Sequence, residues 1–391
     1  MDLQVQEVKD TASHLSTVEV VEVQTKKDLW KWVRFPNELY RDNEYFVPFL
    51  ENDEFDSFCG DIEKNPSYAF CETKLFLAYK NGKLVGRIAG LLNHAYNKKW
   101  NKNAMRFTRF DFIDDEEVSL ALFEKVVEWA KERSLTEVMG PIGFTDIDHE
   151  GMLVEGFDRT NMSITFYNHP YYVTHMERLG LHKDIDWIEY KIFVPHEVDP
   201  RIERMTHHVM SRGDYKIVTY TDRSVLYKEA FEAFGVIDIA FSKLYGTVPL
   251  THDVIKKAID DYIPLVNLEY ICSIKDGEGK IIAFGAMIPS LAKALRRCHG
   301  KLFPFGIFRL LKALKGKNDT LEMFFVAVEP EHQLHGVPIL IIHTLLNKLI
   351  KHNIRYCETG PMLETNGAVH SMWKMFDKEQ HKRRRCYIKT V

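Results

Sequence analysis

The order of secondary-structure signals in this 391-residue chain occurs twice, and repetition of about seven elements constrains it to two copies of one fold. In the first pass a strand at 18–23 precedes an aromatic-rich helix at 27–40 that Pro36 interrupts. An irregular acidic segment spans 41–72, with Pro48 and Pro66 as punctuation. Strands at 75–79 and 84–89 join through Asn81-Gly82, a strong hairpin signal. A strand at 105–112, a helix at 116–133 capped by Asp114 or Asp115, and a short strand stopped by Gly140-Pro141 follow. After a long connection at 142–165, a helix opens behind Pro170, ends at Gly180, and leads to a strand at 186–194.

Pro195 and Pro200 read as a linker, and the order begins again. A strand at 215–220, helices at 224–244 and 253–262, and a hairpin of 268–274 with 280–288 come first. A strand at 321–328, a helix from 339, a strand at 356–359 stopped by Gly360-Pro361, a helix near 368–376 and a strand at 385–389 complete it. The division expected is a polar lead at 1–17, one unit at 18–195 and a second at 196–391 carrying an insertion at 290–318.

Charge separates the two units. Residues 1–195 hold 23 Lys/Arg against 34 Asp/Glu, whereas residues 196–391 hold 29 against 22, so the second unit is the better host for an anionic ligand. A net charge of −4 without basic–aromatic repeats gives no case for nucleic acid. Apolar runs such as 337–342 stop too soon to span a bilayer, and the acidic start Met1-Asp2-Leu3-Gln4-Val5-Gln6-Glu7 reads as no secretory signal, which predicts a cytoplasmic protein. Six scattered cysteines without a Cys-x-x-Cys pair predict reduced thiols and no metal site.

The stretch 321–352 carries the most chemistry. A strand runs into Val328-Glu329-Pro330-Glu331-His332-Gln333-Leu334-His335-Gly336-Val337-Pro338, and a helix follows. The first turn of a helix leaves unpaired N–H groups and positive dipole charge, and a glycine lets a phosphate approach the backbone. Strand, Val-x-Pro, then Gln-x-x-Gly opening a helix resembles the coenzyme A pyrophosphate loop of the GNAT superfamily of N-acetyltransferases, with Pro338 in place of the family's last small residue. The repeated element order is similar to a GNAT domain used twice. The resemblance implies an α/β fold of two tandem GNAT-like acyl-CoA N-acyltransferase units, each a mixed, mostly antiparallel sheet flanked by helices.

It also implies that Val326 and Val328 present backbone groups to the pantetheine arm, while Gln333, Leu334, His335, Gly336 and Val337 surround the pyrophosphate of acetyl-CoA or a longer acyl-CoA. The matching turn of the first unit, Asp111 to Glu117, has four consecutive carboxylates and no glycine, so that unit is expected to bind no CoA. The family's usual tyrosine acid is replaced by Met176 and Trp373. Glu358, Glu364 and Asn366 remain as catalytic candidates by position, and Tyr171, Tyr172, His149 and Glu150 as residues that line the cleft.

Residues 290–318 carry eight Lys/Arg, no Asp/Glu and ten large apolar residues, which suits a membrane surface, an acidic acyl carrier protein or a long acyl chain. The expected activity is acyl transfer to the amine of a small acceptor, a hydrophobic one being among the readings. The rival readings are a non-catalytic acyl-CoA or lipid-binding protein and a tRNA-dependent aminoacyl transferase. Two units in one chain predict a monomer that acts as a pseudo-dimer.

Overall fold

The computed structural model describes residues 18–264 and 266–391, so the polar lead at 1–17 lies outside the described residues. The first half contributes β1 (Val18–Glu22), β2 (Cys71–Lys80), β3 (Lys83–Asn93), β4 (Ala104–Phe112), β5 (Glu137–Gly140), β6 (Met152–Glu155) and β7 (His182–Phe193). The second contributes β8 (Lys216–Thr219), β9 (Ile271–Lys275), β10 (Ile281–Pro289), β11 (Thr320–Val328), β12 (Tyr356–Glu358), β13 (Met362–Leu363) and β14 (Lys378–Thr390).

All of these strands join one sheet, in the order β1-β2-β3-β4-β5-β14-β7-β12-β11-β10-β9-β8, with β13 on β7 and β6 on β14. Two pairings are parallel, β4 with β5 and β11 with β12, and they occupy matching places on either side of the centre. The last strand of each half has changed sides. β5 of the first half pairs with β14, and β12 of the second half pairs with β7. β7 and β14 then pair with each other from Ile192↔Lys378 to His182↔Ile388.

Helices cover both faces because the sheet is apolar on both. Helix Glu116–Glu132, capped by Asp115, buries Val118, Leu122, Phe123, Val126 and Val127 at helical spacing, and helix Val337–Lys351 does the same with Ile341, Ile342, Leu345 and Leu349. Two stretches differ from the sequence reading. Pro200 starts a helix, Pro200–Arg212 with Asp199 as its cap, where a linker was expected, since proline suits the first helical turn. Helix Glu51–Phe58 stands within the segment read as irregular.

Gly140-Pro141 and Gly360-Pro361, which stop the corresponding strands of the two halves, are one residue out of step. Arg106 pairs with Met139 and Glu322 with Glu358, which puts Gly140 opposite the place of Thr359.

The larger difference is β14. The sequence reading gave 385–389 as strand and left Lys378-Glu379-Gln380-His381-Lys382-Arg383-Arg384, a heavily charged run, unassigned. It lies in the middle of the sheet because β7 supplies the counter-charges. Arg384 and Glu189 are both fully buried and paired, and Arg384 Nη2 also donates to Asn161 Oδ1 at 2.8 Å. Asp186 accepts from Arg385 at 2.8 Å and from Arg383 at 3.1 Å.

Removing one member of such a pair leaves a buried charge. Arg384→Met is expected to destabilise the protein by about 3 kcal/mol in urea unfolding. Adding Glu189→Leu should recover most of the loss. Equal losses in the single and double variants would show that the pair does not hold the seam.

Candidate functional site

β11 and β12 run together for three residue pairs, Thr320↔Tyr356, Leu321↔Cys357 and Glu322↔Glu358, and then separate as β12 ends. From Met323 to Val328, β11 pairs with β10 on one side and has no β12 partner on the other. Just past two carboxylates, therefore, the edge of β11 has no β12 partner. Glu322 is 1 % exposed. Ser290 Oγ donates to its Oε1 at 2.6 Å, and Ser163 Oγ, from the first half, donates to its Oε2 at 3.1 Å. Lys382 Nζ, also buried, stands 3.4 Å from Glu358 Oε2 and 3.6 Å from Glu189 Oε2.

Burial pushes the Glu322 carboxyl up to about 7, and the Glu358 charge adds to the shift while the two serines oppose it. A buried carboxyl near neutrality where two strands part can take a proton at the pH of most reactions. The sequence reading named Glu358 and passed over Glu322. Its signal is visible in Leu321-Glu322-Met323-Phe324-Phe325-Val326-Ala327-Val328, where one charge interrupts a strand otherwise apolar throughout.

The turn after β11 is built as follows. Gly336 caps helix Val337–Lys351 at φ +83°, a left-handed backbone that favours glycine. A Cβ there would also meet Val209 Cγ2 of helix Pro200–Arg212 at 2.7 Å. Gln333 Nε2 donates to Val328 O at 2.9 Å and so ties the turn to the strand end. The amides of His335 and Gly336 turn back to His332 O at 3.2 Å and Gln333 O at 3.5 Å, and Pro338 has no N–H, which leaves few donors for an anion. Leu334 is 96 % exposed, His335 is exposed, and Val337 is in the core. Buried Val328 ends the strand, and Val326 faces an apolar pocket lined also by Met287, Met323, Cys357, Leu345 and Trp373.

The other expected residues lie elsewhere. Glu364 pairs with Lys183 at 2.6 Å and Arg383 at 3.1 Å, and its N–H bonds Asp186 O, at the opposite end of β7 from Glu358. Asn366 Oδ1 accepts from Val369 N at 3.3 Å and caps the short helix Gly367–Met372. Tyr171 donates to Phe112 O, and Tyr172, fully buried, accepts from Phe112 N at 2.9 Å. Burial pushes the Glu150 carboxyl well above its usual range.

His149 Nδ1 stands 2.9 Å from Asp148 Oδ1, its Nε2 has no hydrogen-bond partner among the described residues, and its ring packs against Phe49 and Phe166. Burial would raise Asp148, yet Arg109 at 3.0 Å and His149 hold it well below the carboxylate range. In the first-half turn Asp115 pairs with Lys80 at 2.6 Å and Asp114 Oδ1 stands 2.9 Å from His175 Nε2, so these carboxylates serve neighbouring side chains. Among the described residues no group of three His, Cys, Asp or Glu side chains is placed to hold a metal ion. None of the described helices is long and apolar enough to cross a membrane.

No protein-family model matches the chain. It is 27 % identical over 382 residues to Protein YghO of Escherichia coli (strain K12), covering 94 % of each chain. It is 23 % identical over 299 residues to a bacterial ceramide synthase of Caulobacter vibrioides (strain NA1000 / CB15N), covering 76 % of this chain and 77 % of the relative. Among solved structures it superposes on a tandem GNAT protein from the clavulanic acid biosynthesis pathway with a TM-score of 0.54 at 12 % identity, over 95 % of this chain and 98 % of the other. The chain has the tandem GNAT fold.

Proposed function

We propose that the chain transfers an acyl group from acyl-CoA to the amine of a long-chain, apolar acceptor. The observation that carries this reading is Glu322, a buried carboxyl poised near neutrality where β11 and β12 part. An acceptor arrives as an ammonium ion and must lose a proton before its nitrogen can attack a carbonyl carbon. Glu322, ionised and held by Ser163 and Ser290, takes that proton. The nitrogen then forms the amide bond as the thioester C–S bond breaks, and the sulfur leaves as thiolate and is protonated to free CoA.

The free edge of Met323 to Val328 and the turn from Gln333 to Val337 are the residues that would hold the acyl-CoA. Two features support an apolar substrate. The pocket under Val326 is lined throughout by apolar or sulfur-bearing side chains. One relative is named a bacterial ceramide synthase, and a ceramide is the amide of a long-chain amino alcohol. The sparse donors at Pro338 and the absence of a tyrosine at Met176 or Trp373 favour the second reading, a protein that binds acyl-CoA or lipid without turnover.

Release of free thiol from a long-chain acyl-CoA in the presence of a sphingoid-type amine tests the two readings. Amine-dependent release supports transfer, and binding without release supports the second. For the transferase, kcat/KM should fall as pH drops through about 7, and Glu322→Gln should lower it by about 10²-fold or more. The same variant has a stability signature. The folded protein holds the Glu322 proton more tightly than the unfolded chain, with about 7 against 4.5, so this group makes folding less favourable as pH rises across that window. Glu322→Gln should therefore raise Tm above pH 7 and change it little near pH 5.

Val326→Phe, which narrows the pocket, should cost a long-chain acyl-CoA about tenfold in kcat/KM while sparing acetyl-CoA. Equal effects on both donors would place the chain elsewhere.

A further inference from the structure

The insertion between β10 and β11 folds as two helices, Ala292–Cys298 and Gly306–Lys315. One side of the pair is spent on the body. Ala292, Ala294, Leu295 and Leu310 pack with Val47 of the first half, and Gly300 O accepts from Glu51 N at 2.9 Å. Leu310 and Leu314, one turn apart with Gly306, are the inward face of the second helix.

The other side is neither polar nor covered. Phe303, Phe305 and Phe308 are 70, 67 and 67 % exposed, and Ile307 and Leu311 stand beside them. A soluble surface rarely groups three bare phenyl rings. Around them the insertion places eight Lys/Arg and no acid. Lys293 lies 3.6 Å from Asp319, and among the described residues none of the other seven cations has an acidic side chain within ion-pair distance. Rings at the tip and uncompensated positive charge on the flanks are the two features that seat a protein at the boundary of headgroups and acyl chains.

We infer that residues 301–317 dock this protein on the surface of an anionic lipid bilayer, with Phe303, Phe305 and Phe308 inserted and Lys301, Arg309, Lys312, Lys315 and Lys317 on the headgroups. Charge complementarity selects the occupant, because an uncharged apolar partner would leave those cations buried without counter-ions. The seating is peripheral and reversible. It stands independently of the acyl-transfer reading, since it uses no residue of the β11–β12 site.

Flotation of the full chain with vesicles of phosphatidylcholine alone, and of phosphatidylcholine with phosphatidylglycerol, tests it. The wild-type protein should float with the anionic vesicles, stay down with the neutral ones, and come off as salt is raised. The variant F303S/F305S/F308S and the variant K312S/K315S/K317S should each lose about tenfold or more in vesicle affinity. Both alter exposed side chains, so thermal melts matching the wild type establish that the fold is intact. Absence of flotation by the wild type would overturn the proposal, as would flotation that neither variant weakens. So would binding of an acidic carrier protein without any binding of vesicles.

Discussion

The sheet depends on the pairing of Arg384 with Glu189. Both side chains are fully buried, and together with Lys382 they sit where β7 and β14 cross the middle of the molecule. Every pairing between the two halves involves one of these two strands. A charge buried in a sheet is costly unless it is paired and hydrogen-bonded, so the register of β14 on β7 is one that leaves neither Glu189 nor Asp186 unmatched. The strand exchange and the charge pattern are therefore one device.

That device also builds the site. Lys382 reaches from β14 to Glu358 on β12, and Ser163, from the loop before β7, reaches Glu322 on β11. The carboxylates belong to the second half, where Ser290 holds one of them, but the other groups that hold them come from the seam and from the first half. A half taken by itself would carry Glu322 without Ser163. The first half accordingly contributes to the site although its own helix turn is filled with carboxylates engaged by Lys80 and His175.

Two features stand apart along β11. At its start the strand offers Glu322, and at its end the turn through Gly336 offers a left-handed glycine, a tethering glutamine and few free amides. Between them Val326 faces an apolar pocket. The strand thus runs from a buried carboxyl past an apolar wall to a helix start.

Much of the element order was legible because periodicity and turn chemistry act locally. The Asn81-Gly82 hairpin, the helix capped by Asp115 and the strand into Gly336 need only neighbours in sequence, and all three stand in the structure. The role of Gln333 to Val337 around a pyrophosphate is implied by the family resemblance alone. Asn366 and Glu364 were named by their place after a strand, but an N-cap bond to Val369 and ion pairs to Lys183 and Arg383 are tertiary facts.

Glu322 carried a visible signal, one charge in an apolar strand, but its pKa is set by burial beside Glu358 and by serines from distant segments. The run from Lys378 to Arg384 is the clearest case. By itself it specifies a charged tail, because residues with that much charge favour water. Only pairing with Glu189 and Asp186 of β7, nearly two hundred residues away in sequence, makes it the centre of the sheet.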